Sequence, residues 1–252
     1  TFRQVGANPS QPDTPSNTVP ANVANTAPDV NLRFGPVNTL HLGARIASVY
    51  IEDAEADNTR RQGYARWLYQ SSPQTTWSLN YEASAVDFKN EELNRSYRRQ
   101  DYFLRLQTRP VRSSLDISFG GSKIRQDMID DINGALARLS LTREITAGTT
   151  LGLAADASYG DTGTDLSATA AAANNPANGT ATTTSQNLVT QGFFYSKRGT
   201  IFYRRAGQQL NMDLRVFYND LEFETTPLEN RQESGGAAIF SYLFAGTTET
   251  GV

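Results

Sequence analysis

A chain of 252 residues, 38% hydrophobic and with a mean hydropathy of −0.49, has room for one large β-domain or two smaller ones but is poor in apolar residues for a globular core of that size. It contains no cysteine, which excludes disulfide frameworks, thiolate metal sites and cysteine nucleophiles, and its formal charge of −3 offers no basic field for nucleic acid. There is no apolar run of about 18 residues, so no transmembrane helix is predicted, and residue 1 does not begin a signal peptide, which suggests a mature or truncated chain.

Residues 1–28 hold prolines at positions 9, 12, 15, 20 and 28 among Asn, Thr, Ser and Ala, and read as a loop or tail, because proline cannot donate to a strand ladder. A β-domain is expected over 29–252. Val30, Leu32 and Phe34 alternate up to a turn at Gly35-Pro36-Val37-Asn38, and Leu40, Leu42, Ala44, Ile46 and Tyr50 continue one face beyond it. The clearest hairpin follows. Ala65, Trp67 and Tyr69 share a face, as do Trp77, Leu79, Tyr81, Ala83 and Ala85, across the turn Ser71-Ser72-Pro73-Gln74. Taken alone, this hairpin suits a soluble sandwich as well as a barrel.

The pattern recurs with Tyr102, Leu104 and Leu106 against Leu115, Ile117 and Phe119, then with Leu139 and Leu141 against Leu151 and Leu153. It returns in Leu210, Met212, Leu214 and Val216, and in a last strand near Gln232 to Phe244. The arm from Leu188 to Arg205 carries charge in both phases through Lys197-Arg198, which predicts a bulge or a protruding strand end. Asp127 to Leu141 also has some helical periodicity, but its neighbours argue strand. Short turns alternate with long polar connections, as in an up-and-down membrane barrel whose two rims face different compartments. The fold expected from this cadence is all-β: an antiparallel up-and-down transmembrane β-barrel of about 12 strands, either short of a strand or part of a larger barrel.

If the apolar phase faces lipid, the other phase lines a lumen. That lining comprises Arg45, Arg66, Glu82, Asp101, Arg105, Asp116, Arg138, Asp156, Asp213 and Arg215, with His41 in the same phase. Charges of opposite sign on neighbouring strands predict cross-strand ion pairs, Arg66 with Glu82 and Arg105 with Asp116 among them. Two readings stand: a salt-bridge ladder that fills the lumen, or a pore lining that selects polar solutes. Trp67, Tyr69, Trp77, Tyr242 and Phe244 are candidates for an interfacial aromatic girdle. The acidic runs Glu52, Asp53, Glu55, Asp57 and Asp127, Asp130, Asp131 lack EF-hand spacing and read as solvated loops. His41 is the only histidine, and no Gly-x-Ser-x-Gly elbow is present. No catalytic residue, metal site or cofactor is therefore assigned, and the chain is not expected to be an enzyme.

The segments YARWLYQSSPQTTWSLNYEASAVDF, LNRSYRRQDYFLRLQTRPVRSSLDISFGGSKIRQD and GALARLSLTREITAGTTLGLAADASYGDTG resemble, over residues 38–244, a family of proteobacterial outer-membrane β-barrel proteins. That family is associated with exopolysaccharide and PEP-CTERM-type gene clusters. A more distant likeness is to the barrels that sheathe multihaem cytochromes. The resemblance implies a bacterial outer-membrane location and a conduit or assembly factor for polysaccharide export, in contact with outer-membrane lipid, polysaccharide and export-machinery proteins, and with no nucleic acid. The alternatives are a general porin-like channel, or a closed scaffold barrel whose surface loops bind a partner. A soluble β-sandwich binding module is the remaining reading.

Overall fold

A computed structural model describes residues 2–6, 18–51, 57–89, 96–127, 130–160, 193–207, 209–223 and 230–242. They form β1 (Phe2–Gly6), β2 (Thr18–Thr26), β3 (Asp29–Phe34), β4 (Asn38–Ile51), β5 (Asn58–Ser72), β6 (Thr75–Phe88), β7 (Tyr97–Thr108), β8 (Ser113–Gln126), β9 (Ile132–Thr146), β10 (Thr149–Gly160), β11 (Phe194–Ala206), β12 (Leu210–Phe223) and β13 (Arg231–Tyr242). All pair antiparallel in one 13-stranded sheet, ordered β1-β2-β4 and onward to β13. The expected all-β, up-and-down order is therefore present, and Ile132–Thr146 is strand, not helix.

The proline-rich start is not simply a loop. Thr18–Thr26 is a strand, paired with β4 from Ala21 to Thr26, and β3 pairs the other half of β4, from Asp29 to Phe34. β2 and β3 are thus one line of chain broken at Ala27-Pro28, where the Pro28 carbonyl accepts from the Ala44 N–H at 3.0 Å. Pro20 lies outside the β4-paired stretch and faces Gln4 of β1, so its missing N–H costs no bond to β4. The reading of 1–28 as a loop or tail is corrected to that extent. Among the described glycines, two in turns have left-handed backbone, Gly35 (φ 78°) and Gly148 (φ 90°).

Register fixes two faces. Across neighbouring strands Leu42, Ala65, Tyr81 and Tyr102 stand in one row of the apolar face, and His41, Arg66, Asn80 and Phe103 in the next row, on the polar face. The apolar face is bare: Trp67 is 53% exposed, Leu79 57% and Val216 63%. Small side chains of the polar face, Ser78, Asn80 and Ser118, are buried between larger neighbours. Glycines opposite aromatics recur there. Gly43 pairs Tyr64, Gly152 pairs Phe202 and Gly235 pairs Phe217, and each ring lies where a glycine Cβ would point.

Toward the long connections the polar face turns apolar. Val86, Phe88, Tyr97 and Ile124 form a buried cluster with Tyr159 and Phe193, and Phe194, Leu221 and Phe223 form a second. The β11 strand, for which a bulge or protruding end was expected, runs in unbroken register with β10 and β12. Its charge is answered across the strand, where Lys197 pairs with Glu222 and lies 3.9 Å from Asp220.

Among the described residues the sheet does not close. β1 and β13 are its two edges, and no ladder joins them among the described residues. This overturns the transmembrane β-barrel, and with it the functions that need one: the export conduit or assembly factor, the porin-like channel and the closed scaffold barrel. Outer-membrane lipid as a partner, with polysaccharide or export machinery, and the outer-membrane location rested on the same closure and are withdrawn with it. No described helix is long and apolar enough to cross a membrane, which says nothing about crossing with strands.

Candidate functional site

The ten residues expected to line a lumen all stand on the polar face, which, the sheet being open, is a face and not an enclosure. Most are paired. Arg66 Nη2 donates to Glu82 Oε1 at 2.8 Å, and Gln62 Nε2 reaches the other oxygen of Glu82 at 3.3 Å. Arg66 also lies over the Tyr64 ring, 4.6 Å from its centroid. Arg105 grips Asp116 with two donors, and Gln107 adds a third at 2.9 Å. Burial alone would raise the Asp116 carboxyl. The hydrogen bond and charge of Arg105, helped by Gln107 and the field of Arg109, outweigh it and hold the pKa below its ordinary value.

Arg138 meets Asp156 at 3.2 Å, and Asp156 also accepts from Ser158 at 3.1 Å. Asp213 accepts from Arg204 at 3.0 Å. Asp101 is held by Arg99, with both side chains close to nine-tenths buried. Among the described residues neither Arg45 nor Arg215 has a carboxylate within ion-pair distance. Both pairs named from sequence are formed. Arg99 and Arg204 were missed as partners, although both fall in the polar phase of their strands and so carried the same signal.

Two members of the acidic runs carry ion pairs. Asp57 pairs with Lys89 at 2.9 Å, and Asp131 with Lys123 at 2.6 Å and Arg125 at 3.4 Å. Lys123, foremost as a hydrogen-bond donor, holds the Asp131 carboxyl below its usual range. Glu52, Asp53 and Glu55 lie outside the described residues. Of the girdle candidates, Trp67, Tyr69, Trp77 and Tyr242 are exposed on the apolar face near the short turns, Trp67 donating to Asn38 at 3.2 Å, and Phe244 lies outside the described residues.

The feature that sequence reading missed is the edge strand β13. Its register with β12 is unbroken and it contains no proline. Its two charges, Arg231 and Glu233, sit together at one end. Toward the other end Ile239, opposite Asp213, points from the polar face, and Phe240, opposite Met212, points from the apolar face. Each is 60% exposed. Natural edge strands carry charge, proline or bulges that block pairing with another chain, and this half of β13 carries none of them.

Neither a protein-family profile nor a curated protein matches the chain. Among solved structures it is similar to the ferric citrate transporter FecA in its unliganded form, at 9% identity and a TM-score of 0.40, covering 88% of this chain and 39% of that one. It is also similar to the alcaligin outer-membrane receptor FauA from Bordetella pertussis, at 12% identity and a TM-score of 0.41, covering 88% and 43%. The chain therefore spans less than half the length of either protein. Likeness at these scores assigns neither a family nor a function. The resemblance to exopolysaccharide-associated outer-membrane barrels is corrected accordingly, since no family profile matches and the sheet is not closed.

Proposed function

We propose that the chain is a non-catalytic structural unit that works by strand addition, with β13 accepting an extended β-strand from a partner polypeptide. The observation that carries this reading is the pair Ile239 and Phe240: adjacent, on opposite faces, and both 60% exposed. A strand laid antiparallel along β13 would satisfy the outward backbone groups by ladder hydrogen bonds. Its alternate side chains would cover Ile239 on one face and Phe240 with Tyr242 on the other. The occupant this edge fits is therefore an extended segment, apolar on both faces over a few residues and free of proline.

A synthetic peptide with the sequence of β12, the strand β13 already pairs with, is a suitable probe. Its addition is expected to slow amide exchange specifically in 231–242. Ile239→Lys, which places a charge on the edge as natural edge strands do, is expected to abolish that protection while leaving the thermal midpoint of the free chain unchanged. Protection elsewhere in the chain, or equal protection in wild type and Ile239→Lys, would refute the proposal.

A further inference from the structure

Along β13 the exposure pattern changes at Gly236: from there to Tyr242 every residue is exposed, on both faces of the sheet, whereas 231–235 alternate. The stretch 234–242, Ser-Gly-Gly-Ala-Ala-Ile-Phe-Ser-Tyr, holds no charge and no proline. Its side chains are also graded in size. Those before Ala238 are small, and the bulky Ile239, Phe240 and Tyr242 all follow it.

Gly236 and Phe240 stand on the apolar face, opposite Val216 and Met212 of β12, and Ala237 and Ile239 stand on the polar face, opposite Arg215 and Asp213. Elsewhere in this sheet an aromatic is repeatedly set against a glycine across a strand pair, as Tyr64 is against Gly43, Phe202 against Gly152 and Phe217 against Gly235. On its open side β13 offers both halves of such a pair, four positions apart on one strand. They meet when β13 runs antiparallel to another β13.

We infer that the strand β13 accepts is β13 of a second copy, paired antiparallel about a two-fold axis at Ala238; this rests on the strand-addition reading and names its occupant. In that register Ala238 faces its own copy, Phe240 faces Gly236 of the second copy, Ile239 faces Ala237, and Ser241 faces Gly235. Paired positions are always an even number of residues apart in the chain, so each face of one sheet continues into the same face of the other. Every bulky residue meets a small one. Arg231 and Glu233 fall outside the ladder, so no like charges are set opposite each other. The far side of the sheet fits less well, since β3, which pairs with β4 alone among the described residues, carries Asp29 and Arg33 and follows Pro28. In a two-fold pair each β13 covers the other, so association stops at a dimer. Nine residues a side, 234–242, lie below the roughly 20–30 of a stable interface, so the dimer forms as concentration rises and the edge is open in the dilute chain.

Sedimentation velocity over a concentration series is expected to show a monomer–dimer equilibrium and no larger species. The chain has no cysteine, so single introduced thiols report the register. Ala238→Cys sets two thiols opposite one another at the axis, at a separation a disulfide spans, and oxidation with copper–phenanthroline is expected to cross-link it. Ser234→Cys, also exposed but facing Tyr242 of the second copy, is expected to stay uncrosslinked. Gly236→Val fills the space that Phe240 of the second copy would take. A Cβ there meets nothing nearer than 3.4 Å in its own chain, so this variant is expected to fold and to weaken the dimer about tenfold. A monomer at every concentration, or equal cross-linking at positions 234 and 238, would overturn the inference. Amide exchange with the β12 peptide separates the two possible failures. Protection of 231–242 in a chain that stays monomeric refutes the second copy and leaves strand addition standing, and absence of that protection refutes strand addition itself.

Discussion

Arg105 on β7 grips Asp116 on β8 on the diagonal, with Nε donating to Oδ1 at 2.8 Å and Nη2 to Oδ2, while the residue directly opposite Arg105 is Ser118. Gln107, directly opposite Asp116, completes the carboxylate's partners at 2.9 Å. The small serine leaves room for the guanidinium to lean along the strand and meet the carboxylate edge-on. A planar fork matched to a carboxylate is the strongest form of such a pair.

The pH dependence of stability follows from this pair. The folded pKa of Asp116 lies below its ordinary 3.8, so the pair's contribution is complete above that value and is lost as pH falls through the folded pKa. Asp116→Asn is expected to cost about 1 kcal/mol near neutral pH, the lower range for a charged hydrogen bond because the site is partly solvated. It should also flatten the loss of stability below pH 3.8. Urea denaturation across a pH series checks both, and parallel pH profiles for the two proteins would contradict the assignment.

Two strand glycines make a graded prediction. A Cβ on Gly120 would strike the backbone of Tyr102 and Phe103, which cannot swing aside. Gly120→Ala is expected to cost about 1–3 kcal/mol through overpacking. Gly63 has open space at its Cβ position. Gly63→Ala is expected to be neutral or to stabilise by up to about 1 kcal/mol, because it restricts the unfolded chain. Denaturant midpoints of the two single variants decide between this ordering and its reverse.

The two faces should respond differently to truncation and charge. Phe103 is 6% exposed on the polar face, and Phe103→Ala is expected to cost about 3 kcal/mol. Leu79 is 57% exposed on the apolar face, and Leu79→Lys is expected to change stability by less than about 0.5 kcal/mol in aqueous solution. Thermal or urea unfolding checks the pair of values. A loss at Leu79 as large as that at Phe103 would mean that this face is covered in the folded protein.

What was legible in the sequence is what alternation encodes. Period-two patterning places Leu79 and Arg66 on opposite faces and brings Arg66 to Glu82 and Arg105 to Asp116, because register follows from the pattern and the short turns. Closure was not legible. Whether β13 meets another strand depends on long-range pairing, and a barrel and an open sheet of the same strands share one cadence. The covered end of the polar face was half visible: Val86, Phe88, Ile124 and Leu136 break the polar phase and signal a local core. The placement of the Tyr159 ring beside Gly134 of the polar face was hidden, since alternation assigns it to the other face and the β9–β10 ladder ends at Ala157. Pro20 misled for the same reason. A proline count ignores that the residue falls just outside the β4 ladder.

Amide exchange along β13 in the free chain, read residue by residue, tests the central claim most directly. Alternate N–H groups from Arg231 to Tyr242 point at β12 and the rest point away from it, as in any antiparallel edge. An open edge predicts alternation: the β12-facing amides protected, and the intervening ones exchanging close to unfolded-chain rates. Protection of both sets through Ala237–Ser241 would show that the edge is already paired, and would contradict a strand-accepting β13.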